Sequence, residues 1–170
     1  CFFTYVQDPR SRYQDFDLII APAHDRLVRA NALAMIGSPN RISTALLDQG
    51  RAEFAAQIGA LAPPRAAVLI GGDSKRFRLT GRMADDRLAR LGELLAQNIS
   101  LRITGWRRTP TALRERLTEA FGKHERVWLF DGGGANPYFA FLAVADWIFV
   151  TEESTNMLVE ASATGRPVYA

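Results

Sequence analysis

Cysteine appears once in this chain, at Cys1, and histidine only twice, at His24 and His124. One cysteine cannot close an internal disulfide, so the redox compartment is left open with a reducing cytoplasm as the default, and a core position is the expectation for Cys1. Metal-ligand spacing is missing as well. Glu152 and Glu153 are adjacent, so their side chains diverge, and no His or Asp stands close enough to complete a cage. No metal and no cofactor is therefore expected. No apolar run approaches the roughly 20 residues that cross a bilayer as a helix, and no signal-peptide pattern is visible. Repeats and low-complexity stretches are also lacking.

What is present is a chain of 170 residues, 48% hydrophobic and 23% charged, with 21 Lys and Arg against 18 Asp and Glu. That balance suits an ordinary α/β protein with a sizeable core. A net charge of +3 and a pI near 9.4 raise nucleic acid as a partner, but the arginines are interspersed with acids. Asp85-Asp-Arg-Leu-Ala-Arg90 and Arg114-Glu-Arg-Leu-Thr-Glu119 read as solvated helix faces with i,i+3 or i,i+4 pairs, and no basic run is interleaved with aromatics. Nucleic acid is not expected. The chain opens at Cys1 inside a strand pattern without an initiator Met, and Pro167–Ala170 begins another strand. A fragment of a longer chain is the expectation.

From residue 65 onward strand and helix patterns alternate: strands at 66–70, 100–104, 126–130 and 147–151, helices at 84–97, 110–121, 137–145 and 154–164. Such alternation predicts right-handed βαβ units on one parallel sheet. Upstream, strands are expected at 2–6, 18–21 and 32–36, followed by a helix over 44–58. Leu61-Ala-Pro-Pro-Arg65 breaks the chain, which places residues 1–60 in the end of one Rossmann-like domain plus a linking helix, and residues 61–170 in a second. Thr109-Pro110 and Asn136-Pro137 read as a cap followed by Pro at two helix starts.

Ligands of such sheets bind beyond the carboxyl ends of the strands, so the strand-to-helix turns carry the candidates. Gly71 and Gly72, with Ser74 and Lys75, suit either a phosphate or a tight structural turn, and the spacing is not that of a Walker A loop. Arg107 and Arg108 are either bidentate diphosphate ligands or surface arginines, and Trp106 is a core residue or a stacking partner for a base. In the third turn, Gly132 to Gly134 allow close backbone approach or plain flexibility, and Tyr138 can line a pocket. The fourth turn follows the apolar strand Asp146–Thr151, which is expected to be covered on both faces. Glu153, Ser154 and Thr155 lie there, Ser154 as the N-cap of a helix stopped by Gly165 and Pro167. Glu160, in the second turn of that helix, can accept from a ribose hydroxyl pair or serve an ordinary surface role. Near the start of the chain, Gln7–Arg10 and His24-Asp25 also follow apolar strands and are expected to face the same cleft from the opposite side, with His24 suited to general acid/base work or to a structural role.

Ser154, Thr155, Glu160, Ala163, Gly165 and Pro167 together resemble the donor-binding segment of two-domain GT-B glycosyltransferases of the lipid-II synthase and lipid A disaccharide synthase type. Adding Gln7-Asp-Pro-Arg10, Asp17–Asp25, Ile70–Lys75, Arg107–Pro110 and Asp131–Tyr138, nearly the whole chain is similar to the mitochondrial-fission "elongated mitochondria" family, whose bacterial members carry the label nucleoside-diphosphate-sugar epimerase. The resemblance implies a GT-B-like fold and a nucleoside-diphosphate sugar, of uridine type, held by Gly71, Gly72, Ser74, Lys75, Arg107, Arg108, Gly133, Gly134, Tyr138, Glu153, Ser154, Thr155 and Glu160. His24 and Asp25 are the catalytic candidates. A metal-independent glycosyltransferase is the favoured activity, a sugar-nucleotide epimerase of the same architecture or a non-catalytic adaptor the alternatives. A cytoplasmic location is implied, at a membrane surface if the acceptor is lipid-linked.

Overall fold

The computed structural model describes residues 1–72, 80–105 and 109–170. The chain divides into two compact units, Cys1–Arg41 and Ile42–Ala170.

The first unit is a parallel three-stranded sheet in the order β1-β2-β3, with β1 at Thr4–Val6, β2 at Leu18–Pro22 and β3 at Ala32–Met35. Its register pairs Tyr5 with Ile19 and Ile20 with Leu33. Ile19 and Ala21 on the central strand are buried. A short 3-10 turn at Tyr13–Asp15 leads toward β2, and Asn31 holds that connection by donating to the carbonyls of Tyr13 (3.0 Å) and Phe16 (2.8 Å). Cys1, expected in a core, is exposed ahead of β1.

The second unit begins with α1 (Thr44–Glu53) and α2 (Ala55–Gly59), which replace the single helix expected over 44–58. They break at Phe54, whose backbone leaves the helical region while its ring is buried 5.7 Å from that of Trp128. This helical pair packs with the second unit. Gly50 is the reason α1 can come so close: a β-carbon there would lie 2.8 Å from the backbone nitrogen of Ala140. Arg51 adds a hydrogen bond from Nη2 to the carbonyl of Ala143 at 3.0 Å.

Five parallel strands follow in the order β6-β5-β4-β7-β8: β4 Arg65–Ile70, β5 Ser100–Gly105, β6 Val127–Phe130, β7 Trp147–Val150 and β8 Val168–Tyr169. Apolar side chains alternate between two covered faces, which accounts for the unbroken apolar reading of β4. Val68, Ile70, Leu101 and Ile103 pack against α3 (Gly81–Ala96) and α4 (Thr111–Phe121) through Ala84, Leu91, Leu113 and Leu117. Ala67, Leu69, Ile148 and Val150 pack against α5 (Tyr138–Val144) and α6 (Thr155–Ser162) through Phe141, Leu142 and Ala161. Burial of that apolar surface is the main stabilising contribution.

Three expectations shift in detail. Helix α3 starts earlier than the pattern suggested because Thr80 caps it, its hydroxyl accepting from the N–H of Met83 at 3.4 Å. Strand β7 is fully covered on one face only. Ile148 and Val150 are buried, whereas Trp147 and Phe149 are half-buried; Phe149 lines a groove of about 660 Å³ between α3 and β7 and stacks on the exposed ring of Tyr169 instead of under a helix. Several arginines on α3 and α4 reach beyond their own helix. Arg90 pairs with Asp86 as an i,i+4 pair at 2.9 Å, but Arg116 bonds Asp85 across the two helices and Arg87 pairs with Glu153.

Candidate functional site

The strand order sets the position of the site. The helix that follows β4 covers one face of the sheet and the helix that follows β7 covers the other, although β4 and β7 are neighbours. β4 and β7 therefore form a switch point, and open α/β sheets take ligands beyond the carboxyl ends of the strands at such a point.

Gly71, the first residue beyond β4, is tied to both adjacent turns. Its N–H donates to the Thr151 hydroxyl at 2.7 Å, and its carbonyl accepts from the Thr109 hydroxyl at 2.9 Å. Thr109 was expected to cap α4. Instead Pro110 occupies the cap position with no side-chain cap, and the Thr109 hydroxyl is turned inward to bind the β4 turn, buried. A hydroxyl that satisfies a buried carbonyl fixes the spacing of two loops more firmly than one at a solvent-facing helix end. Gly72 is buried beside Gly71. Ser74, Lys75, Trp106, Arg107 and Arg108 lie outside the described residues.

Glu153 is folded under this edge, its side chain 2% exposed and packed against Gly71. Among the described residues neither carboxylate oxygen has a hydrogen-bond partner, and the guanidinium Nη2 of Arg87 on α3 lies 3.5 Å from Oε2. Buried carboxylates require a positive partner, which Arg87 supplies. Arg87 and Thr151 were both missed in sequence. The run around Arg87 looks like a solvated helix face, and Thr151 looks like the last residue of a strand.

Ser154 caps α6 as expected, accepting from the N–H of Met157 at 3.4 Å. Thr155 opens the helix, exposed, at a position where helical geometry provides no internal acceptor for the N–H. Just beyond the end of helix α6, Gly165 takes a positive φ of 73°, a conformation that suits glycine.

The third turn holds its shape through its own polar groups. The N–H of Gly133 donates to Asp131 Oδ1 at 2.9 Å, and the N–H of Tyr138 to Asn136 Oδ1 at 3.0 Å. Gly132 and Gly134 have positive φ, and Gly133 and Gly134 are exposed. At the end of the turn the buried Tyr138 hydroxyl donates to Oε2 of Glu160 on α6 at 2.6 Å. Burial first, then the hydrogen bond and the charge of Glu160, push the Tyr138 pKa upward, so the phenol keeps its proton and remains a donor. Two candidates from separate turns thus meet, as do Gly71 and Glu153.

In the first unit, His24 and Asp25 lie in a short 3-10 turn at Ala23–Asp25 directly after β2, with His24 Nε2 3.7 Å from Asp25 Oδ1. Among the described residues no group of three or more His, Cys, Asp or Glu is placed to hold a metal ion, and no helix is long and apolar enough to cross a membrane.

The whole chain, residues 1–170, matches the family described as Mitochondrial fission ELM1. It is 28% identical over 191 aligned positions to the mitochondrial fission protein ELM1 of Arabidopsis thaliana, covering 99% of this chain and 45% of that protein. It is 32% identical over 108 positions to an uncharacterized protein of Rickettsia prowazekii, covering 61% of this chain and 30% of that one. The chain thus spans less than half the length of these curated relatives. Among solved structures it is similar to the UDP-GlcNAc 2-epimerase of Neisseria meningitidis bound to UDP-GlcNAc, at a TM-score of 0.58 and 14% identity, covering 91% of this chain and 44% of that one. It is also similar to S. aureus MnaA in a structure with UDP, at a TM-score of 0.54 and 13% identity over 90% of this chain and 41% of the other. At such identities the likeness establishes the fold, a GT-B-like α/β arrangement.

Proposed function

This chain belongs to the mitochondrial fission ELM1 family, and from that premise we propose that its second unit is the donor site of a metal-independent GT-B-type glycosyltransferase that binds a nucleoside-diphosphate sugar. The observation that carries the proposal is Glu160. Its carboxylate stands on the helix leaving the switch-point strand β7, half-buried, with one oxygen engaged by Tyr138 and no donor among the described residues on the other. A ribose diol is the part of a sugar nucleotide that needs such an acceptor.

The rest of the donor is assigned by the chemistry of each turn. The diphosphate falls to the Gly71-Gly72 turn with Ser74 and Lys75, to Arg107 and Arg108, and to the first turn of α6 at Ser154 and Thr155. Amides and guanidinium groups aimed at the departing diphosphate stabilise the charge that builds there when the sugar–phosphate bond breaks, and do so without a metal. Gly133 and Gly134 are assigned to the sugar or base, which their exposed backbone would let approach. Uridine is the proposed base, since the similar Neisseria and S. aureus structures are named with UDP-GlcNAc and UDP.

His24 and Asp25 favour a second reading. A histidine next to a carboxylate suits the acid/base chemistry of an epimerase, which turns over its sugar nucleotide with no acceptor.

Titration calorimetry of the full-length protein with UDP, in EDTA and again with magnesium or manganese, tests the donor assignment. Binding unchanged by EDTA is expected. Binding that appears only with the metal overturns the assignment of the phosphate turns. Release of UDP from UDP-sugar only when an acceptor is added separates the transferase from the epimerase.

A further inference from the structure

We infer that Tyr138 is a positioning residue for ribose recognition: its hydroxyl aims the Glu160 carboxylate so that one oxygen is reserved for the 2′,3′-diol of a nucleoside diphosphate. This inference rests on the donor site proposed above and adds what makes that site selective for ribose.

A glutamate on a helix surface has three side-chain torsions, and its carboxylate samples many positions. Here one oxygen, Oε2, is fixed at 2.6 Å by a phenol that cannot itself move freely. Tyr138 is 9% exposed, packs among Leu69, Phe141, Leu142 and Ile148, and stands edge-on to the ring of Phe139 at 5.4 Å. Its backbone is held in turn by Asn136. The phenol therefore transmits the rigidity of the core under β4 and β7 to the carboxylate. The geometry also divides the labour between the two oxygens. Oε2 is occupied by the protein, while Oε1 meets no donor among the described residues. A carboxylate pinned through one oxygen presents the other in one orientation and loses little conformational entropy when it accepts from a hydroxyl. The pin also links two connections of the sheet, since Tyr138 ends the glycine turn after β6 and Glu160 stands on the helix after β7. Contact of a sugar or phosphate with the glycine turn would thus be felt by the group that reads the ribose.

The test compares UDP with 2′,3′-dideoxyuridine diphosphate by calorimetry on the full-length parent, Tyr138→Phe, Glu160→Gln and the double variant, with thermal midpoints measured alongside. The parent is expected to prefer UDP roughly tenfold or more, the range of a hydrogen bond to a charged group. Tyr138→Phe keeps the ring and its packing. It is expected to weaken UDP several-fold, to leave the dideoxy ligand nearly unchanged, and to have no further effect in the Glu160→Gln background. A UDP-to-dideoxy ratio in Tyr138→Phe equal to the parent's, whether or not the midpoint falls, overturns the positioning role and leaves the donor site standing. A parent that binds both ligands equally overturns the Glu160 assignment itself, and the positioning role with it.

Discussion

A β-carbon placed on Gly71 would lie 2.8 Å from Oε1 of Glu153 and 3.0 Å from its Cγ. The turn after the central strand and the carboxylate after its neighbour are therefore fitted to one another at the switch point, and glycine is needed at 71 for want of space. Glu153 is sealed in and held by Arg87, so it has little freedom to move aside. Gly71→Ala is expected to destabilise the protein by about 1–3 kcal/mol, the usual cost of overpacking. It should also weaken UDP binding by displacing the Gly71-Gly72 turn. Chemical unfolding and calorimetry read the two effects. An alanine variant with parental stability would mean that Glu153 repacks without cost.

Arg87 and Glu153 form the one-sided arrangement in which removing the cation is worse than removing the anion. Arg87→Ala leaves a buried carboxylate with no hydrogen-bond donor among the described residues, whereas Glu153→Gln leaves a neutral amide beside a partly exposed arginine. The expected loss for Arg87→Ala is about 3 kcal/mol, the low end for a broken buried pair because Arg87 is partly open to water. Glu153→Gln should cost less, and adding it to Arg87→Ala should restore part of the loss. Strictly additive losses in the double-mutant cycle would show that the two charges do not interact.

Local pattern carried most of the elements and little of their tertiary fit. Strand β7 and helix α6 were legible because an apolar run, a serine cap and a Gly-x-Pro stop lie in sequence within one segment. The linking helices were legible as helix, but periodicity does not say which unit an apolar face covers, and that is decided by contacts such as Gly50 against Ala140 and Phe54 against Trp128. The Thr109 hydroxyl looked like a cap because Thr-Pro begins many helices, and the carbonyl it serves lies on another loop. In the same way, Arg87 resembled its solvated neighbours on α3, since nothing nearby in sequence indicates a carboxylate from the fourth turn. The pairing of Tyr138 with Glu160 joins two residues that sequence reading had set on the ligand separately.

Arg102 on β5 is fully buried; among the described residues Nε and Nη1 have no partner, and Nη2 donates to the Ile58 carbonyl at 3.2 Å. Burial, then the nearby Arg65, lowers its pKa to about 10, so it still carries its charge at neutral pH. A depressed pKa of this kind is a cost to the fold wherever the group is protonated, and the cost shrinks as pH rises through the folded-state value. Arg102→Met keeps the length and drops the charge. It is expected to leave stability unchanged or raise it by about 1–4 kcal/mol at pH 7. A lower melting temperature for the variant would show that the hydrogen bond to Ile58 outweighs the desolvation.

Glu160 and the two arginines of the second turn should separate cleanly by ligand. Glu160→Gln retains shape and a carbonyl acceptor for the Tyr138 hydroxyl but loses the charge, and the loss of a hydrogen bond to a charged group is worth about 1.5–3 kcal/mol, roughly ten- to a hundredfold in affinity. UDP binding is expected to fall by that factor, with pyrophosphate binding unchanged and the melting temperature nearly so, because Glu160 is only half-buried and its partner keeps an acceptor. Arg107→Ala and Arg108→Ala should behave in the opposite way, at least one weakening UDP and pyrophosphate together, since a guanidinium on the diphosphate serves both ligands alike. Calorimetry with the two ligands on the three variants distinguishes the roles. Parental UDP affinity in Glu160→Gln, or a loss of stability in place of affinity, would make Glu160 a partner of Tyr138 and nothing more.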